Sequence, residues 1–172
     1  MKVKIIVVET GEKVDALIRV GEKSEIPSLH EEWYFDLAKQ LRKLPNATGY
    51  ILIKEETPNI VEGCMIFQLV EKIKPVMAYI EVAPHNKPDQ KQHENVAGCL
   101  IAYACKLSFI KGIGIYQGIL NLRVGEERKE DEQKLISLYK TKYHAVQIGD
   151  TSFLDISDEG AEKLINKYLA QQ

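Results

Sequence analysis

The sequence predicts a single α+β domain, a mixed β-sheet flanked by helices, and three observations predict it. About four β-rich runs, counted with the N-terminal pair, come before any long second helix, an order that favours a mixed sheet over a doubly wound parallel one. The second helix then stands between two strands, which makes a parallel β-α-β unit. A chain of 172 residues, 45% hydrophobic and 28% charged, has the length and balance of one globular core, so residues 1–172 are read as one domain.

Lys2 to Val20 holds two runs, KVKIIVVE and DALIRV, parted by the turn-forming Gly11. Ser28 and Glu31 have the spacing of a capping box, and Trp33, Leu37, Leu41 and Leu44 follow at helical spacing until Pro45. That pattern predicts a first helix with Trp33 as a core anchor. TGYILIKEE and IVEGCMIFQLV read as a hairpin turned at Thr57, Pro58 and Asn59, and PVMAYIEVA as a strand ended by Pro84. After the polar loop PHNKPDQKQ, a long helix is predicted from about Glu94 to Lys111, with Val96, Leu100, Ile101 and Ala104 inward and Gly112 at its stop. YQGILNLRV returns as a strand. The charge-dense EERKEDEQK runs through a solvated loop into the exposed first turn of a helix that continues as LISLYKTKY. HAVQIG and SFLDIS are short strands, and Ser157 with Asp158 opens a last helix whose Ala161, Leu164, Ile165, Tyr168 and Leu169 share a face.

A formal net charge of −2 offers no basic footprint for displacing counterions, so nucleic acid is not an expected partner. The opening MKVKIIVVETGEK has too short an apolar stretch for a secretory signal or a membrane span, which leads us to expect a cytoplasmic protein with no membrane partner. Cys64, Cys99 and Cys105 fall in no Cys-x-x-Cys spacing and read as buried thiols. His85 and His93 flank the polar loop outside any metal-binding frame; they read as polar loop residues, and no metal is expected. Gly112-Ile113-Gly114 follows a helix where a dinucleotide fingerprint must follow a strand.

The chemistry concentrates between Ile80 and Leu100. The strand end Ile80-Glu81-Val82-Ala83-Pro84 leads through the loop to Gln92-His93-Glu94-Asn95-Val96-Ala97 at a helix start. The N–H groups of a first helical turn are unpaired and carry roughly half a positive charge, which suits a pyrophosphate, and Ala97 and Gly98 are small enough to leave room for one. A second stretch, Leu138-Tyr139-Lys140-Thr141-Lys142-Tyr143, places a tyrosine on the following helix. These two stretches resemble the signature regions of the GNAT acetyltransferase superfamily. The resemblance runs from about Glu62 to Leu169 and is nearest to a loosely characterised bacterial subgroup.

The resemblance implies a three-layer fold whose mixed sheet is splayed at its centre, acetyl-CoA as co-substrate, and acetyl transfer to a primary amine of a small molecule or a protein. It assigns Ile80, Val82, Gln92, Asn95, Val96, Ala97, Gly98 and Cys99 to coenzyme binding and Tyr139 to protonation of the leaving thiolate. Backbone N–H groups around Val82 are then the donors that polarise the carbonyl. Glu81, the lone carboxylate of its strand, is the candidate general base; alternation puts it with Tyr79 and Ala83 on one face, and Ile80 with Val82 on the other. The chain departs from the pattern at Asn95, where the motif has its first Gly, and at Tyr143 and His144, where it has Gly-Phe. Asn is the residue that best tolerates positive φ after Gly. These departures keep a second reading open, a catalytically inactive acyl-CoA-binding or regulatory module. The acceptor is not legible in the sequence, and a homodimer enters only as a general prior.

Overall fold

The computed structural model describes residues 1–126 and 128–170. In chain order the elements are β1 (Lys2–Val7), β2 (Lys13–Val20), α1 (Leu37–Lys43), β3 (Ala47–Lys54), β4 (Val61–Val70), β5 (Lys74–Val82), β6 (His93–Glu94), α2 (Val96–Lys111), β7 (Ile119–Arg123), α3 (Lys129–Tyr143), β8 (Val146–Gln147), β9 (Phe153–Ser157) and α4 (Asp158–Tyr168). The strands form one mixed sheet in the order β6-β1-β2-β3-β4-β5-β7-β9-β8. Every neighbouring pair is antiparallel except β5 and β7, the two strands joined through α2.

The central strands are buried on both faces, which is why they read as unbroken apolar runs. Alternation sends Tyr50, Leu52, Met65 and Phe67 into one cluster with α2, α3 and α4, and Ile51, Ile53, Cys64 and Ile66 into a second with Trp33 and Leu37. Helices therefore cover both faces, giving the three layers. Helix α2 is apolar nearly all round because it lies between the sheet and α4; Cys99, Leu100, Ile101, Ala102, Ala104 and Cys105 are all buried. Burial pushes the thiols of Cys64, Cys99 and Cys105 each up to about 12, so they act as small hydrophobes.

The first helix is shorter than its periodicity predicts. Glu31 does accept the Ser28 N–H at 3.3 Å, but this closes only a single 3-10 turn, Leu29–Glu31, which ends where Glu32 turns left-handed at φ 63°. A continuous helix would need the N–H groups of Tyr34 and Phe35 for its own carbonyls. Both go instead to the carboxylate of Glu81, at 2.6 and 3.0 Å. The helix restarts at Leu37, where Asp36 accepts from the Lys39 N–H at 3.0 Å. Trp33 keeps its expected place in the core.

One further difference matters for the site. The residues before α2 are not helical: His93 and Glu94 pair with Val7 and Ile6 of β1, so the helix starts at Val96. No helix among the described residues is long and apolar enough to cross a membrane.

Candidate active site

Strands β5 and β7 pair only where Val76 meets Asn121 and Met77 meets Leu122; past that point they part. Two local causes separate them. The register between β4 and β5 slips between Ile66 and Phe67, which face Tyr79 and Met77, leaving Ala78 as an extra residue that bends β5. On the other side, Val124 donates its N–H to Ser152 at 2.8 Å, which carries the end of β7 away with β9. The result is a V-shaped opening in the sheet.

Among the described residues, no strand pairs with β5 along this edge of the opening. Ala83 donates to the carbonyl of Glu62 at 2.9 Å, so by alternation the N–H groups of Ala83, Glu81 and Tyr79 face β4. Those of Ile80 and Val82 face the gap. A slot of about 540 Å³ fills the V. From one sheet face it is lined by Met77, Ile80, Leu122, Ala97, Ile101 and Tyr139, and from the other by Phe35, Ala78, Tyr79 and Glu81, so it passes through the sheet.

At one end lies the start of α2. Asn95 stands at φ 69°, ψ 0°, the left-handed conformation for which the motif uses Gly, and its carbonyl accepts the Cys99 N–H at 2.8 Å. The first-turn N–H groups of Val96, Ala97 and Gly98 have no intrahelical acceptor and carry the positive end of the helix dipole.

The predicted coenzyme residues now separate by position. Ile80, Val82 and Ala97 line the slot. Asn95 makes the turn that starts the helix. Gln92 has an exposed side chain, with its N–H given to His85 and its carbonyl accepting from Val8. Val96 turns its side chain into the core, where a Cβ on Gly63 would come within 2.7 Å of it. The space expected beside Gly98 is taken: a Cβ there would lie 2.4 Å from the ring of Tyr168 on α4, so this glycine serves helix packing. Cys99 lies away from the slot: its N–H is bonded to Asn95 and its buried thiol faces the carbonyls of Lys4 and Tyr168, at 3.7 and 3.9 Å.

Tyr139 projects from α3 into the slot and packs against Tyr143, ring centres 5.5 Å apart. Burial pushes its phenol up to about 12, which keeps it protonated throughout the physiological range. The left-handed residue that ends α3 is His144 at φ 55°, leaving Tyr143 inside the helix as a second ring on the slot wall. Glu81 also lines the slot, but its oxygens are engaged by the Tyr34 and Phe35 N–H groups and by Lys87 Nζ at 3.0 Å. It thereby holds Phe35, stacked edge-on to Tyr79 at 5.3 Å, as the wall on the face opposite α2. Sequence reasoning missed Phe35 because a contact spanning 46 positions leaves no local signal.

It also missed a cluster beside the slot. Glu62, His85, Asn86 and His93 converge in one polar knot under the loop that precedes α2. The available signal was Glu62 itself, a carboxylate inside the otherwise apolar run IVEGCMIF.

No family model and no curated protein matches the sequence. Solved structures do match the fold. The AtaT–AtaR complex with acetyl-CoA aligns at a TM-score of 0.59 and 13% identity, over 87% of this chain and 97% of that one. The KacT–KacA complex with DNA aligns at 0.58 and 13%, over 88% and 99%. The spermidine N-acetyltransferase SpeG of Vibrio cholerae aligns at 0.56 and 14%, over 88% and 97%. The architecture is that of the GNAT acetyltransferases, as the sequence resemblance implied. Among these neighbours one is solved in a complex with DNA, and AtaT also with acetyl-methionyl-tRNA, so the expectation of no nucleic-acid partner finds no support in them.

Proposed function

We propose that the protein is an acetyl-CoA-dependent N-acetyltransferase. The observation that carries this reading is the slot through the splayed sheet, with unpaired N–H groups of β5 on one wall, the start of α2 at one end and Tyr139 inside it. The coenzyme's pyrophosphate would sit over the free N–H groups of Val96, Ala97 and Gly98. Its pantetheine arm would run along β5 and pair with the backbone of Ile80 and Val82 as a strand would.

With the arm so placed, an N–H of β5 in the gap donates to the thioester oxygen and stabilises the charge that develops there. The acceptor amine enters from the Phe35 face. Its nitrogen forms a bond to the acetyl carbon, the carbon–sulfur bond breaks, and Tyr139 gives its proton to the departing sulfur. The proton lost by the amine passes to solvent water, and Tyr139 is reprotonated from solvent. We assign Glu81 to holding the Tyr34–Phe35 wall; with three donors on its oxygens it is poorly placed to take the amine's proton, so it leaves the base role.

The acceptors to test are small polyamines and amines carried on nucleic acid, since proteins of this fold include a spermidine acetyltransferase and a protein solved with acetyl-methionyl-tRNA, together with the protein amines that the sequence resemblance implies. A panel of these amines, assayed for release of free coenzyme thiol from acetyl-CoA, is expected to give saturable turnover with at least one class. Coenzyme binding with no thiol release above hydrolysis across the panel would favour the inactive binding module instead.

A further inference from the structure

Three residues that lie well apart in the sequence meet at one buried point outside the slot. Glu62, at the start of β4, is 1% exposed. Its Oε2 receives His85 Nε2 at 2.7 Å and His93 Nδ1 at 3.1 Å, and the three ligating atoms all lie within 4.8 Å of one another. His85 comes from the turn after β5 and His93 from β6, so the cluster ties both ends of the Pro84–Asn95 loop to β4. Two imidazole nitrogens and one carboxylate oxygen form the donor set of zinc and of the first-row dications near it, with a fourth position left over.

We propose that Glu62, His85 and His93 bind a divalent transition-metal ion of the zinc class, which staples the loop leading into α2 onto the sheet.

Three features support the site. Tetrahedral zinc with ligands at about 2.0–2.2 Å sets donor atoms roughly 3.3–3.5 Å apart, so the 2.7 Å contact has to open by roughly 0.6–0.8 Å and the 3.1 Å contact by roughly 0.2–0.4 Å. Asn86, buried at 4% exposure, orients two of the ligands: its Nδ2 donates to Glu62 Oε2 at 2.7 Å, and its Oδ1 accepts the backbone N–H of His93 at 2.9 Å. The His85 side chain is 27% exposed and lines a surface cleft with Trp33, Val61 and Gln90, which gives the ion an entry path and the open position a water.

The site stands apart from the acetyl-transfer reading, and its test does not use turnover. The full chain, stripped with chelator and exchanged into metal-free buffer, is titrated with Co²⁺ as a visible probe and with Zn²⁺ in competition. The expected results are one equivalent bound, a visible d–d band that Zn²⁺ abolishes, and a melting temperature raised by Zn²⁺. His85→Gln alters the most exposed ligand and is expected to weaken binding by roughly a hundredfold or more. In the unaltered protein, Zn²⁺ is expected to move the imidazole ¹⁵N resonances of His85 and His93 and to leave those of His30 and His144 in place. A folded protein with no Co²⁺ band and no Zn²⁺-dependent melting shift overturns the proposal. Equal binding by His85→Gln, or shifts confined to His30 and His144, overturns it as well.

Discussion

Tyr139→Phe is expected to slow acetyl transfer by roughly a hundredfold or more while moving acetyl-CoA affinity by no more than about twofold. The phenol lines the slot, and burial pushes it up to about 12, so it enters every cycle protonated and can donate to a leaving thiolate. Removing the oxygen leaves the ring, its packing on Tyr143 and the shape of the wall intact. The loss belongs in kcat, because the proton is transferred only as the carbon–sulfur bond breaks. The sign of the shift also sets the pH profile. A donor whose proton is held up to about 12 produces no alkaline fall in rate below roughly pH 11, so any fall seen near pH 8 or 9 comes from another group. Steady-state rates and calorimetric affinities for the two proteins decide the matter; an unchanged kcat takes Tyr139 out of the mechanism.

Gly98→Val is expected to destabilise the fold rather than merely obstruct a phosphate. A Cβ at this position would sit 2.4 Å from Cε1 and 2.5 Å from Cζ of Tyr168, a buried ring with little room to move. Forcing atoms into a filled core costs roughly 1–3 kcal/mol. In a domain of this size each kcal/mol lowers the melting temperature by roughly 2–4 °C, so a drop of a few to about ten degrees is expected. Tyr168→Leu in the same chain should restore much of the loss, since it removes the ring that collides. The alternative, in which Gly98 leaves room for the coenzyme, predicts weaker binding at an unchanged melting temperature and no rescue. Melting curves of the single and double variants separate the two accounts.

Much of the fold was legible because its signals are local. The runs that became β3, β4 and β5 are apolar on both alternating faces, and Pro84 and Gly112 stand just past the ends of β5 and α2. Asn95 adopts a left-handed φ of 69°, a conformation that Asn tolerates best after Gly. What escaped the sequence depends on partners far along the chain. The first helix was overextended because its periodicity cannot reveal that Glu81 takes the N–H groups of Tyr34 and Phe35. Cys99 read as a buried thiol and is one, on a helix packed between sheet and α4. The splay was expected from the resemblance, but its local causes, the extra residue Ala78 and the Val124–Ser152 bond, have no sequence signature of their own. His85 and His93 read as loop residues because the carboxylate that joins them belongs to a strand more than twenty positions earlier.

Isothermal titration of acetyl-CoA into the folded chain tests the central claim most directly, because it asks only whether the gap between β5 and β7 takes the coenzyme. The account predicts saturable heat with one site per chain, competed by free coenzyme A. A flat titration at millimolar ligand, with the protein still giving a cooperative melt, would mean that the slot is not a coenzyme site.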